Sequence, residues 1–577
     1  MKNIFHLVMI KPSHYDDDGY VIQWWRSGMP SNTLATLQGL AIDCVNRQVL
    51  GEDVEIKLTA MDETNIRVRV EKLARMISSD GGNGLVALVG VQSNQYPHAL
   101  DLARSFRERG IQVCIGGFHV SGVLAMLPDL TPELQEALDL GVSLFAGEAE
   151  EGRLDRVLQD AWRGELQPIY NYMEDLPEME NAPTPFAPIE TVKHTVGSQA
   201  SFDAGRGCPF LCSFCTIINV QGRKSRYRNA DDVERIIRDH LEQGIKRFFI
   251  TDDNFARNRN WRAIYERLIE LRERDHLSFN LALQVDTMCH TIKDFIEMSA
   301  QAGVKRVFIG LENINPESLK GTRKKQNRIS EYRKNLLAWK KAKVFTIAGY
   351  ILGFPGDTRE SILHDIEVIK RELPIELLEF FFLTPLPGSQ DHKELAQRGV
   401  AMDPDLNKYD LNHVVTAHDT MSREEWESVY RLAWDRYYTD EHVETLMRRA
   451  IVSGFSPGKV LGSVVWFYAS IVVEGVHPLE SGYIRRKYRR DRRPTLPVES
   501  RLVFYPRYIR EFITKHWFML RLLLKYHRMR KALDADPQSK NYTDQALTPV
   551  SDDETDLFEL YGMETGHSAP EAHAKAS

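Results

Sequence analysis

The residues best equipped for chemistry are three cysteines in the segment GRGCPFLCSFC, where Cys208, Cys212 and Cys215 are spaced C-x3-C-x2-C. Three such thiolates can each ligate one iron of a cubane iron-sulfur cluster. The other cysteines, Cys44, Cys114 and Cys289, stand singly and far off in the sequence, so a fourth iron would lack a protein ligand and could chelate a substrate or cofactor. A zinc site is the competing reading, but it calls for a fourth Cys or His at short spacing, and none follows Cys215 closely. Six cysteines in 577 residues, half of them in one cluster, do not make a secreted disulfide framework. The expected compartment is the cytoplasm.

The elements that must position this cluster form a repeating βα series. Strand candidates SQASFDA, KRFFITDD, FNLALQV, VKRVFIGLE, FTIAGYILGF and LEFFFLTPL alternate with amphipathic stretches such as Ala230 to Glu242, and the cysteines follow the first of them. Six βα units predict a partial (β/α)6 barrel over residues 196–402, open on one side. Upstream, over residues 1–165, the runs IFHLVMI, VEIKLTAM, LVALVGV, IQVCIGG and VSLFAGE predict a parallel α/β sheet. Its turns at Lys11 to His14, Ser93 to Gln95 and Gly116 to Gly122 fall where open α/β sheets bind ligands. The proline-rich stretch 166–195 reads as a linker, 403–533 as a helical C-terminal region, and the polar, acidic 534–577 as a disordered tail.

A net charge of −7 argues against a chain that binds nucleic acid over its whole surface, and no nucleic-acid partner is expected. The N-terminus reads as a first strand, not a signal peptide. VLGSVVWFYASIVV, residues 460–473, is apolar but too short to span a bilayer. Beyond it comes a basic run of Arg485, Arg486, Lys487, Arg489, Arg490, Arg492 and Arg493, then a helix pattern from Arg507 to Leu533. That helix would place Ile509, Phe512, Ile513, Leu520, Leu523 and Leu524 on one face. Two readings stay open for 485–533: peripheral contact with an anionic membrane, or a core-facing helix with a solvated basic side.

The cysteine motif, with Phe214 as its aromatic, resembles that of the radical S-adenosylmethionine superfamily, over about Ser198 to Ser389. The resemblance implies a [4Fe-4S] cluster on Cys208, Cys212 and Cys215, with S-adenosylmethionine on the open iron and an external electron donor of flavodoxin or ferredoxin type. Reductive cleavage of the sulfonium then gives a 5′-deoxyadenosyl radical. Gly349, Ile351 and Gly353 in GYILGFPGD match the family's G-x-I-x-G pattern, which lies against the adenine. The family's acidic residue three places on is Gly356 here, with Asp357 beside it. Asp252, Asp253 and Glu312 stand at strand ends where the family contacts the methionine and ribose moieties, although such carboxylates also cap helices. Phe214 is equally read as core. Gln284, Asp286 and Tyr350 are expected near the cavity.

A Rossmann-like domain fused to such a barrel resembles the cobalamin-binding branch of the superfamily. CIGGFHVSG and AGEAEE are similar to that branch's turns, which points to Gly116, Gly117, His119 and Gly147 as cobalamin contacts. The D-x-H-x-x-G motif that supplies a histidine ligand to cobalt is missing. The resemblance implies a methyltransferase acting on an unactivated carbon of a small-molecule or lipid-like substrate. Radical oxidation or cyclisation without methyl transfer is the alternative, and a non-catalytic iron-sulfur carrier or sensor is the alternative of another class. Methylthiolation of transfer RNA would call for an extra N-terminal cysteine cluster and an RNA-binding barrel, neither visible here.

Overall fold

The computed structural model describes residues 2–321 and 331–550. In the first 171 residues five apolar runs become the strands β1 (Asn3–Lys11), β3 (Val54–Asp62), β4 (Gly84–Leu88), β5 (Gln112–Gly116) and β6 (Ser143–Ala146). A short β2 (Gln23–Ser27) lies between the first two, and β7 (Ile169–Asn171) closes the series. The sheet order is β3-β1-β4-β5-β6-β7, parallel throughout. Helices cover both faces, which is why β1 is buried over six consecutive residues where a one-sided strand would alternate.

The linker expectation for 166–195 is corrected at its start, because β7 pairs with β6 and belongs to the first sheet. Three residues with little hydrophobic periodicity carry no strand signal of their own. An edge strand this short is held by its neighbour's ladder.

The barrel strands are β8 (Gln199–Phe202), β11 (Arg247–Ile250), β12 (Asn280–Val285), β13 (Val304–Glu312), β14 (Phe345–Leu352) and β15 (Leu377–Phe382). They form one parallel sheet in sequential order, with β8 and β15 at its two open edges. The two-residue strands β9 (Gly205–Arg206) and β10 (Arg226–Tyr227) pair antiparallel and clamp the base of the cysteine loop. All six strand candidates of the series are strands, and the α/β architecture stands as expected.

Helices Arg423–Tyr437 and Pro457–Ala469 pack against β15, and Phe380, Trp434, Tyr437 and Tyr438 stack in that seam. Strand structure nevertheless returns after residue 402. β16 (Gly482–Arg486) pairs antiparallel with β2, joining the C-terminal region to the N-terminal domain. The long helix runs Arg501–Ala535, six residues earlier than its periodicity suggests, with Pro506 inside its second turn.

Two further expectations change. The basic run is largely neutralised at home: Arg485 pairs with Asp16, Lys487 with Asp16, Asp18 and Glu511, Arg492 with Glu499, and Arg493 with Asp405. Residues 534–550 are not a loose tail, since Ser539 and Ala546 are buried and Arg449 donates to Asp544 at 2.7 Å. Residues 551–577 lie outside the described residues.

Gly117 sits at φ +148°, and a Cβ there would stand 2.2 Å from the Val91 nitrogen. Gly117→Ala is expected to cost about 2 kcal/mol or more in denaturant unfolding, through backbone strain and a clash that side-chain rotation cannot relieve.

Candidate functional site

Asp252, at the exit of β11, fixes the start of the cysteine loop. Its carboxylate accepts hydrogen bonds from the Ala204 and Gly205 nitrogens, each at 2.8 Å, and from Asn258 Nδ2 at 2.9 Å. Burial pushes this carboxyl up to about 7. Both oxygens are engaged by protein, so the structure gives Asp252 a positioning role.

Arg206, two residues before Cys208, anchors the same loop to the first domain. Its guanidinium reaches Glu148 at 2.5 Å, Glu150 at 2.7 Å and Asp203 at 2.6 Å, and Arg226 meets Glu148 from β10. All five side chains are buried. Burial alone would raise Glu148, but Arg206 and Arg226 outweigh it and hold the carboxyl below its usual range. The AGEAEE turn therefore grips the cysteine loop from across the domain boundary. Sequence reasoning missed Arg206 and Arg226, because nothing in a one-dimensional pattern pairs a glutamate turn with arginines 58 and 78 residues away.

The loop itself folds back on Gly207, where a Cβ would lie 2.5 Å from the Lys224 carbonyl, and is tied by the Cys208 nitrogen to the Gly222 carbonyl at 3.2 Å. Cys208, Cys212 and Cys215 lie in this loop outside any disulfide, Cys208 and Cys212 buried and Cys215 half-buried. Burial pushes Cys208 up to about 11 and Cys215 up to about 12, and the Asp253 carboxylate adds to both. Binding a cationic cluster would draw these protons off. Among the described residues no three Cys, His, Asp or Glu converge on one ion position, which a cubane does not require, since each thiolate takes its own iron. Asp253 is pushed up to about 7 by burial.

Beside the loop the barrel encloses an apolar cavity of about 640 Å³. Phe214 lines it and meets Phe354 edge-on at 6.3 Å. Ile351, Gln284 and Glu312 line it as well. Glu312 holds φ +64° where the β13–β14 register shifts, an unfavourable conformation for a non-glycine residue that aims the strand end into the cavity. Gly349 is wedged between Phe308 and Phe381, and Gly353 lies under the Trp426 indole, 2.0 Å from where a Cβ would be. The Asp357 carboxylate accepts from the Gly353 and Phe354 nitrogens, closing that turn. Tyr350 and Asp286 are turned away: Tyr350 donates to Asp365 at 2.6 Å, and Asp286 is held by Arg257.

One lining residue went unread. Glu379 on β15 is buried, and its Oε2 has no hydrogen-bond partner among the described residues. Burial pushes this carboxyl up to about 8, while the neighbouring His477, pushed down to about 3 by burial, is held at the Phe380 carbonyl. A neutral carboxyl facing an apolar cavity can donate one hydrogen bond to an oxygen placed there. Sequence gave no hint of it, since LEFFF reads simply as a strand.

At the far side, the C-terminal ends of β4, β5 and β6 border a second, apolar cleft of about 170 Å³ that runs down to Leu7, Leu85 and Cys114. Gly116, Gly117 and Gly147 line it. His119 does not; it is fully buried, with Nδ1 at 3.2 Å from the Ser93 hydroxyl and Nε2 at 3.3 Å from Glu133. The structure thus places His119 among Ser93, Tyr96 and Glu133 and not on the cleft wall. A third space of about 330 Å³ joins the two. It shares Gly28, Met29, Leu411 and Leu479 with the barrel cavity, and Asn32, Thr33 and Gly90 with the cleft. The three spaces thus adjoin one another between the cysteine loop and the end of the first sheet.

Residues 204–369 match the family model described as the radical SAM superfamily. The chain is 27% identical over 365 residues to the bacteriochlorophyllide d C-8(2)-methyltransferase of Chlorobaculum tepidum, spanning 59% of this chain and 75% of that one. It is 29% identical to the C-12(1)-methyltransferase of the same organism (53% and 64%), and 25% identical to the hopanoid C-2 methylase of Rhodopseudomonas palustris (62% and 66%). The match thus spans just under two thirds of the length of these last two. The radical S-adenosylmethionine methyltransferase TsrM from Kitasatospora setae, solved with cobalamin and a [4Fe-4S] cluster, superposes with a TM-score of 0.53 at 15% identity, covering 77% of this chain and 86% of that one. That likeness is one of fold.

Two outcomes are expected. Arg206→Ala, which leaves Glu150 without its buried partner and Glu148 and Asp203 with only Arg226 and Arg228, is expected to cost about 3–5 kcal/mol in unfolding and to lower the iron retained after reconstitution. Glu379→Gln isolates the titration of one carboxyl. The folded protein keeps the Glu379 proton up to about pH 8, whereas the unfolded chain releases it near the ordinary carboxylate value. Wild-type stability therefore falls relative to the variant as pH rises from about 5 to 8, and thermal melts across that range should show the gap opening in favour of Gln.

Proposed function

We propose that this chain, which belongs to the radical S-adenosylmethionine superfamily through residues 204–369, is a cobalamin-dependent C-methyltransferase acting on an unactivated carbon of an apolar substrate. The observation that carries the reading is the series of adjoining spaces between the cysteine loop and the glycine-lined end of the first sheet. When bound, the cluster and S-adenosylmethionine supply a hydrogen-abstracting 5′-deoxyadenosyl radical, and cobalamin supplies the methyl group.

The chain's own residues have the remaining tasks. Cys208, Cys212 and Cys215 would hold the cluster. Phe214 and Ile351 would bound the nucleoside, with Gly349 behind Phe308 and Phe381, and Glu312 and Asp253 would accept hydrogen bonds from its polar groups. Gly116, Gly117 and Gly147, which line the cleft, would border the corrinoid's tail. The aromatic cavity wall excludes water from a radical that would otherwise be quenched. Glu379 would donate to an oxygen on an otherwise apolar substrate, fixing which carbon faces the radical.

The apolar lining, together with relatives named for bacteriochlorophyllide and hopanoid methylation, favours a polycyclic or lipid-like substrate. The reaction calls for a one-electron donor of flavodoxin or ferredoxin type, and the free thiols suit the reducing cytoplasm.

The test is to reconstitute the protein without oxygen, incubate it with hydroxocobalamin, remove unbound material and record the visible spectrum. Corrin bands in near-stoichiometric amount are expected. A loaded cluster with no retained corrin would overturn the methyltransferase reading. 5′-Deoxyadenosine formed without S-adenosylhomocysteine would favour radical oxidation in its place.

A further inference from the structure

Leu502, Ile509, Ile513, Leu520 and Leu524 recur along Arg501–Ala535 at alternating spacings of seven and four residues, which puts them on one stripe of the helix. The opposite stripe, with Phe504, Leu522, Tyr526 and Leu533, is buried against helices Asp440–Val452 and Pro457–Ala469. The first stripe therefore faces outward. Leu502 is 88% exposed, and Ile513 and Trp517 are each 60% exposed. From Leu502 to Leu524 the stripe runs about 33 Å at the helical rise, with Tyr505, Phe512 and Leu523 widening it, all exposed. A soluble surface rarely leaves so long an apolar band uncovered.

The charges beside it choose the occupant. Arg510, Arg521 and Arg528 share one flank of the stripe by helical spacing, and none makes an ion pair among the described residues. The cations on the buried side are matched instead: Lys515 pairs with Glu474, Lys525 with Asp440, and the one carboxylate in the middle of the helix, Glu511, with Lys487. The band thus combines an aliphatic centre, an interfacial Trp and a row of unmatched guanidinium groups. A second copy docked on this face would add a like-charged row, whereas phospholipid headgroups supply the counter-charge.

We infer that the outer face of this helix is a membrane-docking surface that lies flat in the headgroup region of an anionic bilayer. Among the described residues no helix is long and apolar enough to cross one, so the contact is peripheral. Within the basic run 485–493, Arg485, Lys487, Arg492 and Arg493 are already paired within the fold. The inference does not rest on the proposed chemistry. It places the protein where a lipid-like substrate resides, and helix Pro457–Ala469, packed between the docked helix and the barrel, contributes Trp466 and Phe467 to the cavity wall.

The experiment is co-sedimentation of the full-length, anaerobically purified protein with sucrose-loaded vesicles of phosphatidylcholine alone or of phosphatidylcholine and phosphatidylglycerol in equal parts. Wild type should pellet with the anionic vesicles and far less with the neutral ones. The Arg510→Gln, Arg521→Gln, Arg528→Gln triple variant should bind anionic vesicles roughly 100-fold more weakly. Ile513→Glu with Leu520→Glu should abolish binding to both compositions while leaving the melting temperature unchanged, because both side chains are already exposed. Wild type that stays in the supernatant with both compositions overturns the inference. So does a wild-type dimer in solution that the double variant dissolves, without vesicle binding.

Discussion

A guanidinium taken out of water must be surrounded by carboxylates or it cannot stay charged, and Arg206 is placed under that constraint at the junction of the two α/β domains. Glu148 and Glu150 come from the turn after β6, Asp203 from the exit of β8, and Arg226 from β10 across the loop base. Arg228, fully buried, meets Asp203 as well, so three guanidiniums balance three carboxylates, and removing any one of the six side chains leaves a buried charge uncompensated. Because Arg206 stands two residues before Cys208, the geometry of the cysteine loop is inherited from this ion cluster. The cleft is tied to it as well, since Glu148, Glu150 and Arg206 line its mouth.

The same junction explains why β2 and β16 exist. Met29 follows β2 and Leu479 precedes β16, and both border the barrel cavity and the joining space. Their antiparallel pairing links segments some 450 residues apart in sequence and walls in the region between the domains. Around it burial pushes the carboxyls of Asp252, Asp253 and Glu379 upward. A dry, weakly polar interior is what radical chemistry on an apolar molecule requires. Arg206 is the exception, held charged because its role is mechanical.

Among the residues singled out from sequence, the structure separates lining from packing. Phe214, Ile351 and Glu312 face the barrel cavity, and Gly116, Gly117 and Gly147 face the cleft. Asp252 is turned to the backbone of the cysteine loop, and His119 to Ser93 and Glu133. A strand-end acid and a turn histidine look alike in a sequence whichever way they point. Orientation depends on which neighbour the fold brings within hydrogen-bond reach.

The sequence by itself determined the two α/β series and the placement of the three cysteines after the first barrel strand, because hydrophobic period and short-range spacing are local properties. Tertiary structure alone decided the rest. Glu379 faces a cavity because β15 ends the barrel sheet, Arg206 finds its carboxylates across a domain boundary, and the apolar stripe of the long helix points outward. Amphipathic periodicity states that a helix has two faces, and it carries no information about which of them the remaining chain will cover.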